Sequence, residues 1–131
     1  MTGREPRWLR RLVVDEAHYQ QIRAHGGSYG IRDENALEAA LTRPRHRWSY
    51  RPDVGLSELA AAYAFGLLMD HPYVDGNKRI ALVALAAFRD LNGAELSASN
   101  ADAHMAVLAV AAGKMTEAEL TDWIGEHSRT S

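Results

Sequence analysis

The sequence predicts an all-α protein, a compact helical bundle with at most a short hairpin flap. Helix start and stop signals recur with short gaps between them, and no segment shows a convincing alternation of apolar and polar residues with the period of two that marks a strand. Hydrophobic residues make up 47% of the 131 residues, which is enough to bury a core. This length is typical of one domain, so residues 1–131 are expected to form a single domain, with a flexible arm over 1–11 and a flexible tail over 127–131.

The first two helices are predicted from their end signals. The segment VVDEAHYQQIRAHGG indicates a helix that opens near Asp15 and closes at Gly26, because glycine suits the left-handed position after a helix. The loop GSYGIRD follows, and Asp33 is placed to cap the helix ENALEAALTR. This second helix should end before Pro44, because a residue that precedes proline disfavours the helical conformation.

The next two helices are the most apolar of the chain. Ser57 is a suitable N-cap for ELAAAYAFGLLMD, which is apolar on most faces and is therefore expected to be central and buried. The second, NKRIALVALAAFRDLNG, is also apolar over much of its surface and closes at Gly93.

Clear caps mark the last two helices. Ser99 caps NADAHMAVLAVAAGK, and Thr116 and Glu119 form a capping box that opens TEAELTDWIGEH. The segment AELS, at 94–97, is a candidate for a short edge strand.

Composition excludes several classes of protein. The chain has no cysteine, so disulfides and thiolate metal sites are ruled out. Its six histidines show no H-E-x-x-H pairing, so zinc is not expected. No apolar run approaches the roughly 18 residues of a membrane span, and the start MTGREPRWLRR lacks the apolar core of a signal peptide. We therefore expect a cytoplasmic protein without a membrane partner.

A basic stretch lies at residues 43–51, RPRHRWSYR, which contains four arginines and no acid. Such a stretch can meet phosphate or an acidic partner, or it can be a solvated loop. Direct nucleic-acid binding is not expected, because the net charge of the chain is −2 and the stretch is short.

The most informative segment is DHPYVDGNKR, at 70–79, which is polar although it lies between the two most apolar helices. A helix start carries unpaired N–H groups and partial positive charge, so acids stabilise it and cations do not. Here Asp75 and Gly76 precede the helix, and Asn77, Lys78 and Arg79 fill its first turn. Free N–H groups, a permissive glycine and two cations at one place are the features of a phosphate-binding site.

Two further residues turn this anion site into a candidate for catalysis. Asp75 would repel phosphate unless a divalent cation lay between them, which is the usual arrangement for nucleotides. His71 lies four residues earlier, with Pro72 stiffening the turn, and histidine is the commonest general base. The segment therefore indicates transfer of a phosphorus-containing group.

Simpler explanations exist for each of these residues taken alone. A single histidine is more often a surface residue, an aspartate before a helix is more often an N-cap, and Lys-Arg is usually solvated. Their coincidence against the helix dipole favours function. Other nucleotide motifs are absent from the sequence, since neither G-x-x-x-x-G-K-[ST] nor G-x-G-x-x-G occurs.

The segment HPYVDGNKR resembles the signature of the Fic/Doc superfamily, H-[P]-F-x-[DE]-[GA]-N-[GK]-R, and in particular its Doc branch, in which lysine follows the asparagine. Three other segments resemble the family as well: GGSYGIRDENALEAALTRP before the central helices, FRDLNGAEL after the motif helix, and AVAAGKMTEAELTDWI near the C-terminal end. The resemblance covers nearly all of the chain after the first dozen or so residues and implies the Fic/Doc helical bundle.

The resemblance implies catalytic roles for particular positions. His71 would be the base that deprotonates the hydroxyl of a target protein, and Asp75 would hold Mg²⁺ against the phosphates of ATP. Tyr73 occupies an aromatic position of the family and would turn inward to hold the loop.

Phosphate binding is implied for the four residues that follow Asp75. Gly76 and Asn77 would form an anion hole, and Lys78 and Arg79 would bind phosphate. Lys78 also separates two chemistries, because Fic enzymes that transfer AMP carry glycine there, whereas Doc-like members carry lysine and transfer the γ-phosphate. The second arginine of the AMP-transferring pattern is replaced here by Leu82, which agrees with Doc.

The resemblance also implies partners and a physiological role. Doc proteins are toxins of toxin–antitoxin pairs and phosphorylate a threonine of elongation factor Tu, so a cognate antitoxin and elongation factor Tu are the expected partners. The inhibitory pattern [ST]-x-x-x-E-[GN] of many Fic proteins is absent from this sequence. AMP transfer to a protein hydroxyl and a catalytically idle antitoxin-binding co-repressor remain as alternatives.

By position, the basic stretch would form the flap of the family beside the active site, which aligns the target peptide. Trp48 and Tyr50 would then pair or stack with a bound segment. The alternative is that they anchor a loop on the bundle.

Overall fold

The computed structural model describes residues 4–130, in which six helices and one small sheet follow each other. They are α1 (Arg11–His25), α2 (Glu34–Tyr50), α3 (Leu56–Asp70), α4 (Asn77–Leu91), β1 (Ala94–Leu96), α5 (Asn100–Ala111), α6 (Glu117–Glu126) and β2 (Ser128–Thr130). The predicted all-α class is confirmed. Over these residues, no helix combines the length and the apolar character that crossing a bilayer requires.

Helix α3 is the centre of the bundle and packs against α2, α4 and α6. Residues 59–68 are buried, apart from the partly exposed Phe65. Alanine and glycine on this helix allow close approach of its neighbours. A Cβ atom added at Gly66 would lie 3.2 Å from the Cα atom of Ala40 on α2, a distance that leaves no room for a larger side chain.

Local signals predicted several helix ends correctly. The side chain of Asp33 accepts a hydrogen bond from the N–H of Ala36, and Ser99 caps α5 in the same way. The capping box of Thr116 and Glu119 at the start of α6 is present. These caps satisfy N–H groups that have no partner within the helix.

Two predicted helix starts are wrong. Helix α1 begins at Arg11 rather than near Asp15, because the guanidinium of Arg11 bonds to Asp15 and to Glu34 on α2 and so ties the first turn to the bundle. Helix α3 is capped by Gly55 instead of Ser57, without a side-chain hydrogen bond.

The prediction that α2 ends before Pro44 is also wrong, because the helix continues to Tyr50. Proline removes one helical hydrogen bond, but Pro44 is buried against the core. On both sides of it, Arg43 and Arg47 each donate a 2.6 Å hydrogen bond to Glu117, the first residue of α6. Tertiary contacts therefore outweigh the local signal.

Within the segments 1–11 and 127–131, which were expected to be flexible, described residues make tertiary contacts. Trp8 stacks on Phe88 at 5.9 Å between ring centroids, and Leu9 is buried. At the other end, β2 pairs antiparallel with β1, which confirms AELS as a short strand and adds a partner that the sequence did not reveal. Residues 1–3 and 131 of these segments lie outside the described residues.

Candidate active site

The loop between α3 and α4 places His71 in a strained conformation. His71 follows the last residue of α3 with φ 46° and ψ 56°, in the left-handed region, and no other non-glycine residue between 4 and 130 has a positive φ. The guanidinium of Arg32 faces this turn, with Nε donating to the His71 carbonyl at 2.5 Å and Nη2 donating to the Asp70 carbonyl at 2.6 Å. These two bonds stabilise a backbone conformation that costs energy in isolation.

The segment 28–33 holds the same loop through backbone hydrogen bonds. The N–H of Arg32 donates to the Pro72 carbonyl at 2.8 Å, and the N–H of Val74 donates to the Gly30 carbonyl at 2.9 Å. The glycine-rich connection between α1 and α2 therefore serves as a support for the candidate catalytic loop.

Tyr73 turns inward, as the resemblance implied. Its side chain is 1% exposed, and its hydroxyl donates to Asp15 Oδ1 at 2.7 Å. Burial, and secondarily this hydrogen bond, raise the pKa of Tyr73 far above its usual value. The ring stacks on His18 of α1, with 3.6 Å between the ring centroids.

Asp75 is exposed at the surface, and a hydrogen bond fixes one of its two carboxylate oxygens. Its Oδ2 accepts a hydrogen bond of 2.8 Å from the N–H of Ser28, whereas its Oδ1 has no hydrogen-bond partner among residues 4–130. A single open carboxylate suits Mg²⁺, which keeps several waters and completes its shell with substrate phosphates. Over the same residues, no cluster of three or more His, Asp or Glu side chains could hold a metal ion.

The start of α4 is open. Its N-cap is Gly76, with φ 80° and ψ 16°, and the first turn has neither a side-chain cap nor an acid. The first hydrogen bond of the helix joins the N–H of Ile80 to the Gly76 carbonyl, so the N–H groups before Ile80 precede the helical ladder. Lys78 is exposed and Arg79 is half-buried at this end, which adds two cations to the partial charge of the helix start.

The side chain of Asn77 closes the candidate catalytic loop. It is 8% exposed, and its amide both accepts from the Tyr73 N–H at 3.1 Å and donates to the Tyr73 carbonyl at 3.0 Å. The side chain is therefore occupied in closing the loop, and only the backbone N–H of Asn77 is available for an anion.

These features surround one cleft of about 470 Å³. All the predicted site residues line it, together with one residue of the loop and two of α5: His71, Val74, Asp75, Gly76, Asn77, Lys78, Arg79, His104 and Leu108. His104 and Leu108 were not predicted. They lie four residues apart on one face of α5, but no sequence signal places that face beside the loop.

Comparison with known proteins finds a matching family and similar proteins. The profile of the Fic/DOC family matches residues 8–89. A protein of Mycolicibacterium smegmatis named Toxin Doc is 40% identical over 77 residues, which are 57% of this chain and 58% of that protein. A protein of Escherichia phage P1 named Protein kinase doc is 30% identical over 105 residues, 80% of this chain and 82% of that protein.

The chain belongs to the Fic/Doc family. Both relatives carry Doc in their names, which places the chain on the Doc branch. The His71 turn and the open start of α4 lie within the matched region.

The basic stretch of this Fic/Doc protein is not the flap that the resemblance implied. Residues 43–50 are the last turns of α2, and Arg51 follows as its C-cap. Three of the four arginines are ion-paired, Arg43 and Arg47 with Glu117 and Arg51 with Glu58. The two carboxylates of these ion pairs, on α6 and at the start of α3, neutralise half of the positive charge of the stretch.

The two aromatic residues of this stretch differ in their environments. Trp48 packs edge-on against Trp8, with 6.3 Å between the ring centroids, and contacts the core. It therefore anchors α2 on the bundle. Tyr50 is 89% exposed, so it remains accessible to a partner.

Proposed function

We propose that this chain is the toxin of a toxin–antitoxin pair and acts as a Doc-type protein kinase. It would transfer the γ-phosphate of Mg-ATP to a hydroxyl side chain of a translation factor, with elongation factor Tu as the substrate, and so halt protein synthesis. Support comes from the names of the two relatives, Toxin Doc and Protein kinase doc, and from one structural observation. A histidine held in a strained turn faces the same cleft as an uncapped helix start with two cations.

In this reaction, His71 removes the proton from the target hydroxyl. The hydroxyl oxygen then forms a bond to the γ-phosphorus, the bond from that phosphorus to the β–γ bridging oxygen breaks, and ADP leaves. The N–H groups at the start of α4, with Lys78 and Arg79, hold phosphate oxygens and stabilise their charge. Asp75 holds Mg²⁺, which neutralises phosphate charge when it is bound.

Lys78 is the residue that supports phosphate transfer over AMP transfer. Lys78 is exposed, lies in the first turn of α4 and lines the cleft. A side chain of this length and charge occupies space beside the open N–H groups, whereas glycine would leave that space to additional phosphates.

The direct test is to incubate the purified chain with elongation factor Tu and ATP labelled at either the α- or the γ-phosphate. We expect label from γ-labelled ATP only, and a target mass increase that matches one phosphate. His71→Ala should abolish labelling. His25→Ala is the matched control, because His25 is exposed at the end of α1 and does not line the cleft.

Two results would reject this assignment. Label from α-labelled ATP would identify an AMP transferase. Normal bacterial growth on expression of the chain without an antitoxin, together with no labelling of any protein in a cell extract, would favour the idle antitoxin-binding co-repressor.

A further inference from the structure

The two buried polar side chains of residues 4–130, His18 and Asn77, both lie beneath the candidate catalytic loop. Asn77 bonds to the backbone of Tyr73. His18, which is 0% exposed, has its Nε2 atom 2.7 Å from the carbonyl oxygen of Asp75. Burial of a polar side chain is costly unless its hydrogen bonds are made, and both side chains make theirs to the backbone of this loop.

The tautomer of His18 follows from this contact. A carbonyl oxygen can only accept a hydrogen bond, so Nε2 must carry the hydrogen that it donates to Asp75. The other ring nitrogen, Nδ1, is buried without a hydrogen-bond partner among the described residues. The ring therefore makes one polar contact, and that contact is to the backbone of the proposed Mg²⁺ ligand.

Close packing fixes the loop against the His18 ring. A Cβ atom added at Gly76 would lie 3.3 Å from His18 Nε2 and 3.2 Å from Ile22 Cδ1. The ring of Tyr73 stacks on His18 with an interplanar angle of 11°. The backbone of residues 73–76 thus lies directly on one face of α1.

The same turn sets the direction of the Asp75 side chain. Its carbonyl oxygen accepts from His18, and its Oδ2 accepts from the N–H of Ser28 at 2.8 Å. The two bonds hold the backbone and the side chain of the same residue at once. The carboxylate and the left-handed turn at Gly76 are therefore oriented together.

We infer that His18 is a positioning residue, which orients the carboxylate of Asp75 and the anion-binding turn at Gly76 through its hydrogen bond to the Asp75 carbonyl. This inference rests on the proposed function, since it assigns Asp75 to Mg²⁺. It assigns to His18 an effect on the binding of Mg-ATP and none on the proton transfer that His71 performs.

Two variants separate the hydrogen bond from the ring. His18→Phe keeps a flat ring against Tyr73 but removes the donor, whereas His18→Gln keeps an amide donor at the place of Nε2 but removes the ring. We expect His18→Phe to raise the half-saturating concentration of Mg²⁺ at fixed ATP by about 5- to 10-fold, the effect of losing one hydrogen bond. The kcat should change by no more than about twofold, because the bond acts on binding. His18→Gln should stay close to the wild type.

A second readout does not depend on catalysis. The Ser28 amide is protected by Asp75 Oδ2, so hydrogen exchange at Ser28, measured by NMR, should be faster in His18→Phe and close to the wild type in His18→Gln. If His18 acts only by packing, the order of the two variants reverses in both measurements, and the inference is overturned. If the wild type transfers no phosphate at all, the proposed function fails, whereas the exchange rates still decide the role of His18.

Discussion

Replacing Arg32 by alanine should release the turn that presents His71 to the cleft. The guanidinium of Arg32 donates to two consecutive carbonyls, those of Asp70 and His71, at 2.6 and 2.5 Å. Arg32 is exposed, so both bonds compete with water, and each stabilises the turn by about 0.5–1 kcal/mol, the lower part of the range for a net hydrogen bond. The substitution should therefore destabilise the turn by about 1–2 kcal/mol.

The stabilisation lost with these two bonds is about as large as the conformational energy that the His71 turn costs. The left-handed conformation of His71 costs about 1–2 kcal/mol relative to the right-handed one. Pro72 disfavours the right-handed conformation at the preceding residue, so a released His71 moves to extended geometry and its imidazole leaves the cleft. If only the left-handed turn is active, kcat should fall about 5- to 30-fold, the factor that corresponds to the lost bonds.

The assay is the initial rate of phosphate transfer at saturating Mg-ATP. The three-bond coupling between the amide and Cα protons of His71 would report φ directly. Arg32→Lys is the matched control, because one ammonium can reach one carbonyl and should retain part of the rate. Urea unfolding should show that both variants fold. A wild-type kcat in Arg32→Ala, with His71 still at positive φ, would refute the role of these two bonds.

Two further predictions concern stability. The pKa of Tyr73 is raised in the folded state, so the unfolded chain loses this proton first as the pH rises. The free energy of unfolding should therefore fall above about pH 10 by up to about 1.4 kcal/mol per pH unit. Denaturation measured between about pH 9 and 11 should show a weaker dependence of this free energy on pH in Tyr73→Phe and an unchanged dependence in Tyr50→Phe. Gly66→Ala should lower the free energy of unfolding by about 1–3 kcal/mol, because the new Cβ meets Ala40. Gly125→Ala is the control and should leave this free energy unchanged, because the atom nearest to its new Cβ lies at 3.6 Å. Equal unfolding midpoints in urea for the two alanine variants would contradict the close packing of α2 on α3.

The fold was predictable wherever its determinants are local. The caps Asp33, Ser99 and Thr116 each accept from the amide three residues further along, so a short stretch of sequence contains both partners. The continuation of α2 through Pro44 has a different origin, because its support comes from Glu117, more than 70 residues away in the chain. Only the tertiary structure brings that carboxylate to the arginines on both sides of the proline.

The same distinction applies to the site. The residues from His71 to Arg79 are contiguous, so their combination of base, carboxylate, glycine and cations could be recognised directly. Two side chains from other elements hold this loop, His18 from α1 and Arg32 from the α1–α2 connection. A third, His104 from α5, lines the same cleft. Nothing in the local pattern around these three residues distinguishes them from ordinary surface or core residues.

The open start of α4 explains why so much support is gathered beneath one loop. A Ser, Thr or Asp at the N-cap would stabilise the helix by about 1 kcal/mol, but its oxygen would occupy the N–H groups that an anion needs. Gly76 leaves those groups open, and two cations in the first turn add repulsion from the helix dipole. The helix start is therefore destabilised locally, and the compensation has to come from contacts that leave the N–H groups free.

The bonds from Asn77 to Tyr73 and from His18 to Asp75 meet this condition, because both reach the loop from the protein interior, on the side away from solvent. Buried polar residues behind an uncapped helix start provide this support, and His18 and Asn77 are the two buried polar side chains within the described residues 4–130 of this protein.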